Sequence, residues 1–294
     1  MEINKIYNGD CLELIKELSD ESINVILTDP PYLYLKNQKL DRPFDEKIFF
    51  NEAKRVLKKD GFIVLFGRGT SFYRWNTILA KLGFKFKEEI IWNKNRSSSS
   101  VIAISRFHET ISISTKNSGV LNRCKIPYIE SKSGDITKIE QDVNRIKSAL
   151  NNTSELNILL DYLKTKKIAK RDSKGKNELT LKRNSVKAYN IPSAQLSSIS
   201  NGITERSIIE CGLDYYTSIH PTQKPVRLLE RLINLVSKEG DLILDPFSGS
   251  GSTAIACIKS ARKFIGFEID KEYFDGSIKR ISEQPMNLFC TSTN

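Results

Sequence analysis

The stretch DLILDPFSGSGSTAIACIKSARKFIGFEID (241–270) reads as strand, glycine-rich turn, helix, strand and terminal acid. The apolar run Leu242-Ile243-Leu244 closes on Asp245. Gly249 and Gly251 then let backbone N–H groups come close to a ligand at the start of a helix. Glu268 follows 19 residues after Gly249, at the end of the next strand. A carboxylate there accepts hydrogen bonds from ribose hydroxyls. This order predicts a bound adenosine-type cofactor over a plain tight turn. No Gly-Lys-Ser/Thr follows, which excludes a triphosphate-binding loop. Ala254 stands where the third glycine of the dinucleotide fingerprint would fall. Asp245 before the turn repels a pyrophosphate but suits an ammonium group. S-adenosylmethionine, with an adenosine, a ribose and a methionine ammonium, therefore fits better than NAD.

A second stretch, LTDPPY (27–32), ends the apolar run that begins at Ile23. Two adjacent prolines have no N–H to extend a sheet ladder, and they fix φ at both positions. They hold the Asp29 carboxylate and the Tyr32 ring in a set relation. From these letters alone a catalytic lip and an ordinary rigid turn both remain open.

Bulk properties narrow the class. The chain has 294 residues, enough for one large domain or two modest ones. Hydrophobic content is 39% and charged content 28%, ordinary for a soluble globular protein. No apolar run approaches a membrane span, and MEINKIYNGD lacks the character of a secretory signal. The five cysteines are scattered without a CxxC pair, which points to free thiols in the reducing cytoplasm and to no metal site. Net charge is +11, and residues 121–200 hold 16 Lys/Arg against 8 Asp/Glu. Such a concentration is the footprint of phosphate binding, or of a solvated linker.

Strand-like and helix-like patterns alternate over the first 118 residues. Strands are expected at Ile3–Tyr7, Ile23–Thr28, Gly61–Phe66, Phe84–Trp92 and Thr110–Thr115, with helices at Cys11–Leu18, Glu46–Lys58 and Thr70–Leu82. The rhythm stops near Asn117, leaving helices near Ile139–Leu150 and Glu155–Lys166 and a basic arm at 164–176. It resumes with helix Val226–Ser237, strand Asp241–Asp245, helix Ser252–Ser260, strand Lys263–Ile269 and helix Lys271–Ser282. The expected architecture is one α/β, Rossmann-like sheet with helices on its faces, interrupted by a basic insert. The parts are 1–118 with DPPY, 119–214 as the insert, and 215–294 with the glycine turn.

With DPPY (29–32) and DPFSGSGS (245–252) together, the chain resembles the β-class amino-methyltransferases of DNA. NGDCLELI (8–15), HPTQKP (220–225) and GFEIDKEYF (266–274) strengthen the match, which covers about 1–118 and 215–282. The resemblance implies a circularly permuted, S-adenosylmethionine-dependent methyltransferase fold, with a target-recognition region in the middle. It implies that Asp29 and the Pro30 carbonyl accept from the target amino group, that Pro31 stiffens the lip, and that Tyr32 stacks on an extruded base. Asp10, next to Cys11, would contact the cofactor adenine. Asp245, Phe247, Gly249, Gly251 and Ser252 would shape the methionine end, and Glu268 would hold the ribose. His220, Thr222 and Lys224 would close the pocket from the other side. Two departures stand out: GSGST replaces the usual GSGTT, and Leu33-Tyr34-Leu35 follows DPPY, so that Tyr34 could share the stacking role.

The implied activity is methyl transfer to the N6 amino group of a flipped adenine in double-stranded DNA. N4-cytosine transfer is the alternative, with an RNA or protein methyltransferase and a catalytically silent restriction–modification subunit behind it. No Pro-Cys dipeptide marks a cytosine-C5 nucleophile. Arg123, Lys138, Arg145, Lys147, Arg171 and Arg183 are candidate DNA contacts, and Arg96–Ser100 reads as a solvent loop or a DNA-facing one. His108-Glu109 reads as structural, with bracing of the active site as the other reading. A homodimer and a cognate restriction endonuclease stay open as further partners.

Overall fold

A computed structural model describes residues 1–32, 42–95, 104–131, 138, 141–142, 197–199, 201–213, 220 and 222–284. Strands β1 (Lys5–Asn8), β2 (Ile23–Thr28), β3 (Leu57–Gly67), β4 (Lys85–Asn93) and β5 (His108–Thr115) come from the first part of the chain. β6 (Lys125–Ile126) and β7 (Ile203–Thr204) form a small ladder of their own. β8 (Ile208–Glu210), β9 (Leu242–Asp245) and β10 (Lys263–Glu268) return to the main sheet, whose order is β1-β10-β9-β2-β3-β5-β4-β8. Strands β1, β10, β9, β2 and β3 run parallel. β5 is antiparallel to both β3 and β4, and β8 joins β4 in parallel.

The parallel strands read as continuous apolar runs because helices cover both faces. Helices whose ends both lie among the described residues are α1 (Cys11–Leu14), α2 (Glu46–Val56), α3 (Gly69–Lys81), α4 (Tyr128–Ser131), α5 (Val226–Val236), α6 (Ser252–Lys259) and α7 (Lys271–Ser282). Asp45 caps α2, its carboxylate accepting from Ile48 N–H at 2.9 Å, and Asp270 caps α7 in the same way. Phe49, Phe50, Trp75, Ile63, Leu244 and Phe267 meet in one buried cluster under the sheet.

Element boundaries differ from expectation in three informative places. The helix expected at Cys11–Leu18 stops at Leu14 and tightens into a 3₁₀ turn over Ile15–Glu17. The Arg55 guanidinium there takes the carbonyls of Ile15 and Leu18, at 3.0 and 2.7 Å, so the last turn needs no further helix. β3 begins at Leu57, opposite Ile23, and its register shifts before Phe62 pairs with Val25. β8 falls within 119–214, yet it pairs with β4 at the sheet edge.

The chain separates into two compact units, 1–122 with 206–294, and 123–205. In the first, the Asn122 side chain donates to the Asn234 and Ser237 carbonyls, each at 2.8 Å, and closes the end of α5. In the second, β6 and β7 pair antiparallel, with Ile126 opposite Ile203, and the Tyr128 hydroxyl donates to Asp142 at 2.6 Å. Arg123 and Lys138 lie there. Most of the helices expected at 139–150 and 155–166, the basic arm, and Arg145, Lys147, Arg171 and Arg183 lie outside the described residues, as do Tyr34 and Arg96–Ser100.

Phe49 is fully buried, its ring within 5.6 Å of those of Phe44, Phe50 and Phe247. Phe49→Ala is expected to cost about 3–5 kcal/mol, through lost transfer energy and the cavity left behind. Urea denaturation of the variant beside Phe49→Leu, which keeps most of the volume, checks this.

Candidate active site

β2 and β9 are neighbours, with Val25 opposite Ile243 and Ile26 opposite Leu244. The motifs that follow the two strands therefore leave the sheet side by side. This is the sheet's switch point: one run of strands continues to β10 and β1, the other to β3. Ligands of open α/β sheets bind outside the carboxyl ends at such a point. A cavity of about 500 Å³ opens there, within the range of small-molecule sites. Asp29, Pro30, Pro31 and Tyr32 line it from β2, and Asp245, Phe247, Gly249 and Ser252 from β9. Asp10, Cys11, His220, Thr222, Lys224 and Glu268 complete the expected set.

Gly251 is placed differently from its expectation. It lies at φ 73°, and a Cβ there would stand 3.1 Å from Ser277 and 3.4 Å from Ile6. It packs the turn against α7 and β1, and glycine is needed for that conformation. The glycine amides also point inward. Gly249 N–H donates to Glu268 Oε2 at 2.7 Å, and Gly251 N–H to the Ser248 carbonyl at 2.9 Å. The turn thus orients a carboxylate and does not cradle a phosphate. Asp270 N–H takes the other Glu268 oxygen at 2.8 Å.

Asp245 is held as firmly. Thr253 donates its hydroxyl to Oδ2 at 2.5 Å, and Phe247 N–H reaches Oδ1 at 3.2 Å. Burial pushes the Asp245 pKa up to about 7 despite these donors. A pyrophosphate would meet two carboxylates here. A ligand carrying an ammonium and a diol fits, because the ammonium offsets the desolvated Asp245 charge and Glu268 accepts from hydroxyls. Asp10 caps α1, accepting from Leu12 N–H at 2.8 Å through one oxygen. Burial raises the Cys11 thiol to about 12, so Cys11 serves as an apolar wall.

The Asp29 carboxylate is doubly engaged: Tyr32 donates its hydroxyl to Oδ1, and the Lys224 ammonium binds Oδ2. Lys224 also stands 3.3 Å from Glu109 Oε2, while Lys94 binds Glu109 Oε1. Two carboxylates and two ammoniums form a neutral, largely buried quartet. Burial works against the Lys224 cation, but Asp29 and Glu109 outweigh it and hold its pKa above the ordinary lysine value. Burial also works against the Glu109 anion, yet Lys224 and Lys94 keep it below the usual carboxylate range. Asp29 is pushed up, by burial first and then by the Glu109 charge, against Lys224 and Tyr32.

Lys94 and Glu109 belong to no motif, and sequence reasoning missed Lys94 and favoured a structural role for Glu109. The available signal was a strand opening on an acid beside a segment ending in lysine. Trp92 and Phe66 were missed as well, and they flank Lys224. His220 stacks edge-on against Tyr273, with centroids 4.3 Å apart, and its Nδ1 accepts from Thr222 N–H at 3.2 Å.

The chain matches the N6_N4_Mtase family model, described as DNA methylase, over residues 23–280. It belongs to that DNA methylase family. The methylase is 27% identical over 288 residues to the DNA adenine methyltransferase YhdJ of Escherichia coli (strain K12), spanning 95% of this chain and 83% of the relative. It is 27% identical over 306 residues to the Type II methyltransferase M.HinfI of Haemophilus influenzae, spanning 96% of this chain and 69% of the relative. Among solved structures, M1.HpyAVI in complex with SAM aligns with a TM-score of 0.54 and 21% identity over 94% of this chain and 98% of its own. The cytosine-N4-specific PvuII DNA methyltransferase aligns with a TM-score of 0.58 and 18% identity over 97% of this chain and 88% of its own. Both share the methylase's fold. Among the described residues, no helix is long and apolar enough to cross a membrane, and no group of His, Cys, Asp and Glu is arranged to hold a metal ion.

Burial and the nearby Lys224 charge lower the His220 pKa to about 4. The imidazole is therefore expected to stay neutral as pH falls through 6.5, the value of a free histidine. Nitrogen-15 NMR of the two histidines checks this, His220→Asn identifying the resonance.

Proposed function

We propose that this methylase transfers a methyl group from S-adenosylmethionine to the N6 amino group of an adenine flipped out of double-stranded DNA. One observation carries the reading: Asp29 faces the same cavity as Asp245 and Glu268, because β2 and β9 are hydrogen-bonded neighbours. The likeness to a relative named as a DNA adenine methyltransferase supports adenine over cytosine.

In this reading Glu268 accepts from the ribose hydroxyls and Asp245 receives the methionine ammonium. The Asp10 oxygen left over from capping α1 takes the adenine amino group of the cofactor, beside Cys11. Phe247, Gly249 and Ser252 shape the methionine end. His220 and Thr222 close the opposite wall, the neutral imidazole adding no second cation. The bound cofactor supplies an electrophilic methyl group on a sulfonium.

The protein's task is to make a poor nucleophile competent. An exocyclic amino nitrogen shares its lone pair with the ring. Asp29 and the Pro30 carbonyl accept its two hydrogens and favour the tetrahedral nitrogen, whose lone pair then faces the methyl. Transfer forms the nitrogen–methyl bond as the sulfur–methyl bond breaks, with that electron pair left on sulfur. The nitrogen sheds one proton to Asp29, which returns it to solvent. Positioning and fixed charges carry the rate, with no covalent enzyme intermediate. The base must leave the duplex to reach this site. The Tyr32 hydroxyl leaves Asp29 as its ring turns to stack on the base.

Arg123 and Lys138, with the basic stretch around them, contact phosphates and so set the protein on the duplex. The likeness to a Type II methyltransferase favours a cytoplasmic restriction–modification setting with a cognate endonuclease. Sedimentation reads directly whether the methylase is a homodimer.

Labelled methyl is expected to enter duplex DNA and to appear as N6-methyladenine after digestion to nucleosides. N4-methylcytosine, or label in RNA or protein alone, overturns the assignment. Asp29→Ala should slow transfer by about 10²-fold or more while cofactor affinity is kept, as read by calorimetry. Asp245 must be an anion to receive an ammonium, and its raised pKa of about 7 means that it protonates as pH falls below that value. Cofactor affinity should therefore weaken below about pH 7, and Asp245→Asn should abolish that dependence.

A further inference from the structure

Glu109 stands outside both motifs, at the start of β5, yet its carboxylate lines the cavity. Its two oxygens differ. Oε1 is bound by Lys94. Oε2 is buried and ion-paired with the Lys224 ammonium at 3.3 Å, a long contact that lacks hydrogen-bond geometry. A buried carboxylate oxygen gains from a well-aligned donor, and here the nearest one stands just outside that geometry.

Lys224 carries that donor. An ammonium carries three donors, and the one directed at Asp29 Oδ2 competes with the target amino group for the same carboxylate. The Lys224 nitrogen lies 5.1 Å from the Phe66 ring centroid and 5.9 Å from that of Trp92, and aromatic faces stabilise a cation passing between two carboxylates. Trp92 is fixed in turn, its Nε1 donating to the Cys211 carbonyl at 2.7 Å. A shift of about half an ångström brings the ammonium to hydrogen-bond distance from Glu109 Oε2. The quartet stays neutral during this shift, since no proton moves in it.

We propose that Glu109 is a positioning residue for methyl transfer: it is the second seat, to which the Lys224 ammonium moves when the target amino group takes Asp29. The inference rests on the role given to Asp29 above. Its role is to draw Lys224 off the acceptor, not to contact the reacting atoms. The groups that face Asp29 are Tyr32 from the lip, Lys224 from the segment before α5, Glu109 from β5 and Asp245 from β9. Lys94 and His220 act on these at one remove.

The test measures single-turnover transfer to duplex DNA at saturating S-adenosylmethionine across pH. Glu109→Gln is expected to slow transfer by about ten- to a hundredfold, with cofactor affinity retained. The acid limb of its profile should move to lower pH, because the Glu109 charge raises the Asp29 pKa. Glu109→Asp, which restores the charge, should return the limb to its wild-type position. In a Lys224→Gln background, Glu109→Gln should cost nothing further, since it acts through Lys224. A wild-type rate in Glu109→Gln overturns the proposal, as does a slower rate with an unmoved limb and additive losses. A readout without substitutions is the wild-type methylase crystallised with duplex DNA and a non-reactive cofactor analogue. Lys224 should then sit about 2.8 Å from Glu109 Oε2, and Lys224 still on Asp29 overturns the proposal. Asp29→Asn separates the two readings. If it retains transfer, the Asp29 role fails and takes this inference with it. If it is inactive while Glu109→Gln is normal, only the second seat fails.

Discussion

The short parallel ladder between β2 and β9 is the contact on which the site depends. It joins segments that lie more than two hundred residues apart, and Asn24 reinforces it by accepting from Leu242 N–H at 3.1 Å across a separation of 218 positions. A slip of one residue would turn every side chain of the strand to the opposite face. Both faces here are covered by helices, and each strand presents apolar residues to each face. The periodicity within β2 or β9 therefore cannot set the pairing alone. Fixed features at the strand ends must contribute, including the Asn24 amide and the Lys58 ammonium, which binds the same side chain at 3.0 Å.

Charge balance is the second constraint. Lys224, Lys94, Asp29 and Glu109 are held largely away from water, and removing one member of such a set costs about 3–5 kcal/mol by leaving its partner uncompensated. Neutrality alone does not explain the placement, since well-packed apolar side chains would be as stable. At Asp29 the Lys224 ammonium and the Tyr32 hydroxyl oppose a rise in pKa that burial and the Glu109 charge impose. Asp245 is raised by burial too, to about 7, with hydroxyl and amide donors but no cation opposing it.

Much of this was legible in the sequence. The turn at 245–252 and the acid at 268 were expected to share one site, and both line the cavity, because glycine, acid and strand spacing are local properties. The parallel strands and their helices followed from hydrophobic runs, and their observed ends fall within a few residues of the expected ones. What could not be read was whatever depends on a partner distant in the chain. Glu109 looked like one acid opening a strand, and only the β4–β5 register, with Trp92 opposite it, brings it beside Lys224. The glycine amides misled for a related reason. Spacing shows that a backbone can approach something closely, but not that the thing approached is the protein's own Glu268.

The ladder of β6 and β7 has a consequence for how such an enzyme changes over time. These strands pair near the two ends of the 123–205 unit, with Lys125 opposite Thr204. The residues between them therefore begin and end at one ladder. Doubling such a loop costs only about 0.6 kcal/mol in chain entropy. Insertions, deletions and wholesale replacement within the segment are thus thermodynamically cheap.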